Sequence, residues 1–133
     1  MPVRVITAPI IPGLNDTEIP AILAAAKEAG ARAASYTLLR LPLTVAPVFR
    51  EWLERTQPDR AERVLNLIRS TREGKLNEAE FGSRLRGKGE VAEQIGKLFR
   101  VFRAKHGLVC PLPDFDFSQF RPPQVPGGQM KLF

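Results

Sequence analysis

The chain has 133 residues, of which 44% are hydrophobic and 26% are charged, a balance typical of one globular domain and not of a disordered chain. Twenty lysines and arginines against 14 aspartates and glutamates give a formal net charge of +6, which favours an anionic partner, most often nucleic acid. The single cysteine, Cys110, and the single histidine, His106, exclude an intrachain disulfide and a multi-cysteine zinc or iron–sulfur site built from this chain alone. No apolar run approaches the roughly 18 residues that cross a membrane, so we expect a cytoplasmic protein with no membrane partner.

Residues 1–44 have the pattern of a strand–helix–strand unit. The β-branched residues at 3–7 and 10–11 predict a strand, which Pro12 and Gly13 end in a turn. Asp16 predicts the N-cap of a helix with an apolar stripe, and Gly30 predicts its C-terminal end. Residues 33–39 predict a second strand. Such βαβ units are parallel, and their functional loops lie at the carboxyl ends of the strands.

Residues 45–107 are predicted to form only helices. Pro47 and Pro58 are placed to open two of them, and a third is expected from about residue 90 to 105, with Gly107 as its stop. Residues 108–133 are rich in proline and glycine and are predicted to be an extended tail. A single pair of parallel strands is a poor sheet, because parallel strands are normally buried on both faces within larger sheets. The pattern therefore indicates a piece of a larger α/β fold, or a domain that needs a partner.

Residues 8–16, at the end of the first predicted strand, allow two interpretations. Gly13 lets a ligand approach the backbone closely, and a βα loop is the usual place for a small-molecule site in an α/β barrel. The alternative is a plain strand-to-helix turn with an aspartate cap, since Pro-Gly turns are common.

The hexapeptide Ile-Pro-Gly-Leu-Asn-Asp at residues 11–16 resembles the fifth-strand loop of radical S-adenosylmethionine (SAM) enzymes, whose pattern is Gly-x-Ile-x-Gly-x-x-Glu. Ile11 and Gly13 match the pattern, whereas Pro9 and Asp16 stand where the family has Gly and Glu. The resemblance extends over essentially the whole chain, through residues 36–42, 49–53, 58–61, 81–89 and 120–123. Together these segments are similar to the C-terminal half of the bacterial radical SAM group known as DNA repair photolyase-like, which is related to spore photoproduct lyase.

This resemblance implies an α/β fold in which residues 1–44 are the last βαβ unit of a partial (β/α)6 barrel. A C-terminal helical extension, 45–107, and the tail, 108–133, would follow it. The residues implied to border SAM are Ile11, Gly13, Asn15, Leu39 and Arg40. The complete enzyme would also hold a 4Fe–4S cluster through Cys-x-x-x-Cys-x-x-Cys, which this chain lacks. We therefore expect a fragment that is inactive alone, with no catalytic or metal-binding residue of its own, whose partner is the missing N-terminal half of the barrel.

Most of the positive charge lies in the middle of the chain. Residues 69–105 hold ten basic residues against five acidic ones. Arg84, Arg86 and Lys88 share a glycine-spaced loop, and Arg100 and Arg103 lie one turn apart on the last predicted helix. One interpretation is a surface that contacts the phosphate backbone of nucleic acid, and the other is an ordinary solvated face of mixed charge.

The last residues resemble the bacterial sliding-clamp-binding peptide, whose pattern is Gln-Leu-x-Leu-Phe. Gln129, Met130, Leu132 and Phe133 match it, with Met in place of the first Leu, after a Gly-Gly pair. A tail folded back on its own core is the competing interpretation. The alternative to an enzyme fragment is accordingly a stand-alone module that binds nucleic acid through residues 69–105 and a DNA sliding clamp through this tail.

Deletion of residues 129–133 tests the tail motif directly. If the peptide docks Met130, Leu132 and Phe133 into an apolar groove of the clamp, the deletion should abolish binding to a purified bacterial clamp in a titration calorimeter. Unchanged affinity would contradict the motif.

Overall fold

The computed structural model describes residues 2–77, 79–81, 83–111, 113–114 and 116–121. These residues form, in chain order, β1 (Arg4–Ile10), a 3-10 turn (Asp16–Glu18), α1 (Ile19–Glu28), β2 (Ala33–Leu38), α2 (Val45–Thr56), α3 (Pro58–Ser70) and α4 (Gly89–Lys105). The described part of the chain is therefore a mixed α/β unit with a two-stranded sheet and four α-helices. The α/β class and the strand–helix–strand order predicted from the sequence are confirmed.

The two strands pair in parallel, with Val5 opposite Ala34 and Thr7 opposite Tyr36. Both α1 and α4 pack on one face of this sheet, where they form a core with Tyr36. No described helix packs on the opposite face, where Ile6 is 61% exposed and Ala33, which bridges to Val109, is buried. The sheet is thus covered by helices on one side only. The main apolar side chains of this core are Ile10, Ile19, Leu23, Ala34, Leu38, Ile95 and Phe99.

A second core lies at the carboxyl ends of the two strands. It is built by α2 and α3, whose side chains Leu53, Val64 and Ile68 are fully buried. Ile11 and Leu39, which directly follow β1 and β2, pack against it. The α2–α3 pair therefore lies against the end of the sheet at which the sequence predicts functional loops.

Asn15 holds the loop that follows β1. Its Oδ1 accepts a hydrogen bond from the Ile11 backbone N–H at 2.7 Å, and its Nδ2 donates to the Pro9 carbonyl oxygen at 3.2 Å. The predicted N-cap at Asp16 is wrong, because the helical turn already begins at Asp16 and Asn15 occupies the cap position without a side-chain cap bond. The Asn15 amide is used to close the loop instead.

Two features require a glycine at position 13: the backbone conformation there and the close approach of Leu67. Its φ of +76° lies in the left-handed region, and a Cβ added there would come within 2.6 Å of Leu67 Cδ1 on α3. In this structure the group that approaches the Gly13 backbone is therefore a leucine side chain of α3. The sequence predicts the glycine but not this partner, which lies more than 50 residues away in the chain.

Gly13→Ala and Gly30→Ala form a matched pair that separates these two requirements. Gly30 has a φ of +86° with nothing within 4 Å of an added Cβ, so its replacement adds backbone strain alone, about 1 kcal/mol. Gly13→Ala adds the collision with Leu67, and we expect roughly 1–3 kcal/mol more loss of unfolding free energy. Urea denaturation of both variants measures the difference, and equal losses would show that Leu67 yields at no cost.

Candidate functional site

A cavity of about 250 Å³ lies between β2, α4 and the loop of residues 83–88. Three arginines line it: Arg86 from the loop, and Arg100 and Arg103 from α4. None of the described residues that line it is acidic. We call it the arginine cavity.

The arginine cavity lies along the edge of β2 that faces away from β1, where other segments of the chain cover this edge only in part. At one end the Ala34 N–H donates to the Leu108 carbonyl at 3.1 Å, and at the other the Leu38 N–H donates to the Leu85 carbonyl at 2.8 Å. Between these two hydrogen bonds, the strand edge around Tyr36 borders the cavity. The edge that faces away from β1 is thus covered at both ends and open in its middle.

Tyr36 forms the floor of the arginine cavity and is 7% exposed. Its ring packs against Phe99, with 4.7 Å between the ring centroids. The Arg86 guanidinium carbon lies 4.5 Å from the centroid of the same ring. A guanidinium at that distance over an aromatic face is attracted by the ring quadrupole, so Tyr36 holds Arg86 at the cavity.

A larger, shallower cavity of about 600 Å³ adjoins the first and shares Tyr36, Arg86, Gly96 and Arg100 with it. Its further lining includes Lys88, Lys97 and a single acidic residue, Glu93. The two cavities together are called the basic cleft below. Its five basic side chains are Arg86, Lys88, Lys97, Arg100 and Arg103.

Arg72 is the residue whose role the sequence analysis missed. It counts among the ten basic residues of 69–105, yet it is 1% exposed and does not belong to a surface. Its Nη1 donates to the Arg84 carbonyl at 2.8 Å, and its Nη2 donates to the Leu39 carbonyl at 3.0 Å. Weaker bonds reach the carbonyls of Ser83 and Leu38. One buried guanidinium therefore ties the loop of residues 83–88, called the arginine loop below, to the carboxyl end of β2.

Two of the five residues predicted to bind nucleic acid have other contacts. Lys88 Nζ lies 3.1 Å from a carboxylate oxygen of Glu73 and 3.1 Å from one of Glu80, although it also lines the larger cavity. The hydrogen bond from Lys88, together with one from the Ser83 hydroxyl and the lysine charge, lowers the pKa of the Glu80 carboxyl. The Arg84 guanidinium lies 5.2 Å from the Phe81 ring and lines neither cavity. The fold brings together Arg86, Arg100 and Arg103.

The five residues implied to border SAM share one region, at the carboxyl ends of β1 and β2. The Leu39 N–H donates to the Ile10 carbonyl at 2.9 Å, which joins the two strand ends. Ile11 and Leu39 are partly buried against the second core, Gly13 meets α3, and Asn15 binds the loop backbone. Arg40 is half-buried beside them. The structure thus brings the five together, while none of them lines the basic cleft.

The single cysteine and the single histidine lie near the end of α4. Cys110 is exposed, and His106 follows the last turn of the helix. The predicted clamp-binding residues Gln129, Met130, Leu132 and Phe133 lie outside the described residues. Within the described part of the chain, no group of three or more His, Cys, Asp or Glu side chains is placed to hold a metal ion. Nor does that part contain a helix with the length and apolar character needed to cross a membrane.

Comparison with known proteins finds no matching protein family, no matching curated protein and no matching solved structure. The basic cleft is therefore interpreted from its own side chains.

Replacing Arg72 should loosen the arginine loop. Arg72→Met leaves the buried carbonyls of Leu39 and Arg84 without their donor, and we expect a loss on the order of 3 kcal/mol in unfolding free energy. Trypsin should also cleave after Arg84 and Arg86 faster than in the parent protein. Arg63→Met, at an exposed position of α3, is the control and should change stability by less than about 0.5 kcal/mol. If Arg72→Met has the same stability and the same cleavage rates as the parent protein, the buried guanidinium does not hold the loop.

Proposed function

We propose that this chain is the nucleic-acid-binding, carboxyl-terminal part of a radical SAM enzyme, and that the basic cleft binds the phosphate backbone of the nucleic acid. The observation that carries the binding proposal is the convergence of Arg86, Arg100 and Arg103 on a cavity whose lining has no carboxylate. Arginine forks match phosphate oxygens in pairs, which makes such a cluster suited to phosphate recognition.

The arrangement of helices supports a barrel segment. In a doubly wound fold helices cover both faces of a parallel sheet, whereas in an α/β barrel they cover only the outside. Here α1 and α4 lie on the same face, and Ile6 on the other face is 61% exposed. We propose that further strands of the complete enzyme cover this face and extend the sheet beyond β1. The alternative, a stand-alone binding module, would leave Ile6 on this face in water.

Of the two cofactors of the proposed enzyme, this chain would contribute residues to the SAM site and not to the iron–sulfur cluster. The single cysteine does not provide the thiolates of a 4Fe–4S cluster, so we assign no radical step to these residues. Ile11, Gly13, Asn15, Leu39 and Arg40 remain the proposed border of SAM on the basis of the resemblance. In the described structure their loop is held by the Asn15 hydrogen bonds and by α3.

The cleft binds, in this proposal, through a preorganised set of charges. Arg100 and Arg103 project from α4, the longest helix of the described chain, and Arg86 is held over the Tyr36 ring. Because Arg72 ties the arginine loop to β2, the two sides of the cleft keep their spacing. Neutralising phosphates in such a cleft releases the counterions condensed on the nucleic acid, so binding should weaken steeply with salt.

Binding of a fluorescein-labelled 20-nucleotide single-stranded DNA, and of its duplex, tests this proposal by anisotropy across a salt series. Arg86→Gln with Arg100→Gln should weaken binding at least tenfold and should reduce the slope of log affinity against log salt by about 1–2.

The matched control changes two arginines on the exposed sides of α2 and α3, Arg50→Gln with Arg60→Gln, and removes the same net charge outside the cleft. It should retain both the affinity and the slope to within about twofold. Equal losses in the two double variants would contradict a localised interface, and an unaffected Arg86/Arg100 variant would place binding elsewhere.

A further inference from the structure

We propose that the arginine cavity is a subsite for a terminal phosphate monoester of a nucleic-acid strand, while the rest of the basic cleft holds the adjoining backbone. This inference deepens the proposed nucleic-acid binding and rests on it. The three arginines would bind the phosphate at the end of a strand and not an internal phosphodiester.

The arginine cavity has room for a phosphate group. Pockets that enclose drug-sized ligands measure roughly 300–1,000 Å³, whereas the arginine cavity has about 250 Å³. A phosphate with the sugar attached to it fits this volume, and the rest of the strand would extend into the adjoining cavity of about 600 Å³.

The charge of the cavity favours a monoester over a diester. A phosphodiester carries one negative charge and two unesterified oxygens. A monoester carries about −1.5 to −2 near neutral pH and has three such oxygens. Three guanidinium groups without a lining carboxylate therefore match the charge and the oxygens of a monoester better.

Tyr36 supplies a second, independent indication of a ligand. Only 7% of the surface of Tyr36 is exposed, and the residue lines the cavity. Within the described part of the chain its hydroxyl has no hydrogen-bond partner. The hydroxyl is therefore free to donate into the cavity, where a phosphate oxygen would accept its hydrogen bond.

Gly96 keeps the space beside this hydroxyl open. It lies within α4, and a Cβ added at Gly96 would come 2.9 Å from the Tyr36 hydroxyl oxygen. An alanine there would push against the group proposed to donate to the phosphate. Alanine is at the same time the better helix former, so the change need not destabilise α4.

Two of the three arginines are also held in place by contacts within the protein. Arg103 Nε donates to the Leu108 carbonyl at 3.1 Å, and Arg86 lies over the Tyr36 ring. Groups that are already ordered lose less conformational entropy when a ligand binds. The subsite is thus largely formed before the phosphate arrives.

The thymidine dinucleotide with a 5′-phosphate, its 3′-phosphate isomer and the unphosphorylated dinucleotide test the subsite by NMR titration of the full chain. We expect at least one phosphorylated form to bind tenfold or more tightly than the unphosphorylated one, with shifts at Gly96 and Arg100. Tyr36→Phe should cut this preference at least threefold while the urea midpoint stays unchanged, because the hydroxyl has no protein partner to lose. Gly96→Ala should remove most of the preference.

Lys97→Gln serves as the contrast, because Lys97 lines the larger cavity of the cleft and not the arginine cavity. It should weaken binding of the 20-nucleotide DNA and keep the preference for the phosphorylated dinucleotide. Equal affinity for all three dinucleotides would overturn the subsite, even if the long DNA binds as proposed. Preference for a phosphorylated dinucleotide without binding of long DNA would support the subsite and overturn the backbone proposal.

Discussion

The buried guanidinium of Arg72 is the interaction on which the candidate site depends. It donates to carbonyls at the end of β2 and in the arginine loop, two segments more than 40 residues apart in the chain. Burying a cation away from water is costly unless its donors are satisfied, and several carbonyl oxygens around one guanidinium provide that compensation. The position of Arg86, and with it one wall of the basic cleft, follows from this contact.

The cleft itself results from an incomplete covering of β2. Leu108 and Leu85 each accept one hydrogen bond from the strand edge, and the strand between them faces a cavity instead of another strand. The three arginines that surround it turn the opening into an environment for an anion.

The same two-stranded sheet explains why the unit looks like a part of something larger. Helices α1 and α4 bury one face in a well-packed core, while Ile6 and the outer edge of β1 meet no further strand among the described residues. Parallel sheets are stable when both faces are covered. The resemblance to radical SAM enzymes and the one-sided packing are independent grounds for the same proposal, a barrel segment completed by other strands.

The sequence alone determined the local elements, because their signals are local: a β-branched run predicted β1, Pro58 and the apolar spacing predicted α3, and Gly30 predicted the end of α1. It also located the positive charge in residues 69–105. It did not distinguish Arg72 from its exposed neighbours, or foresee that Asn15 would close the loop and leave no cap, or that Leu67 would meet Gly13. Those facts depend on contacts between segments distant in the chain, and a periodic pattern carries no information about them. Which arginines converge on Tyr36 was likewise decided by the tertiary structure, since it depends on where the loop crosses the edge of β2.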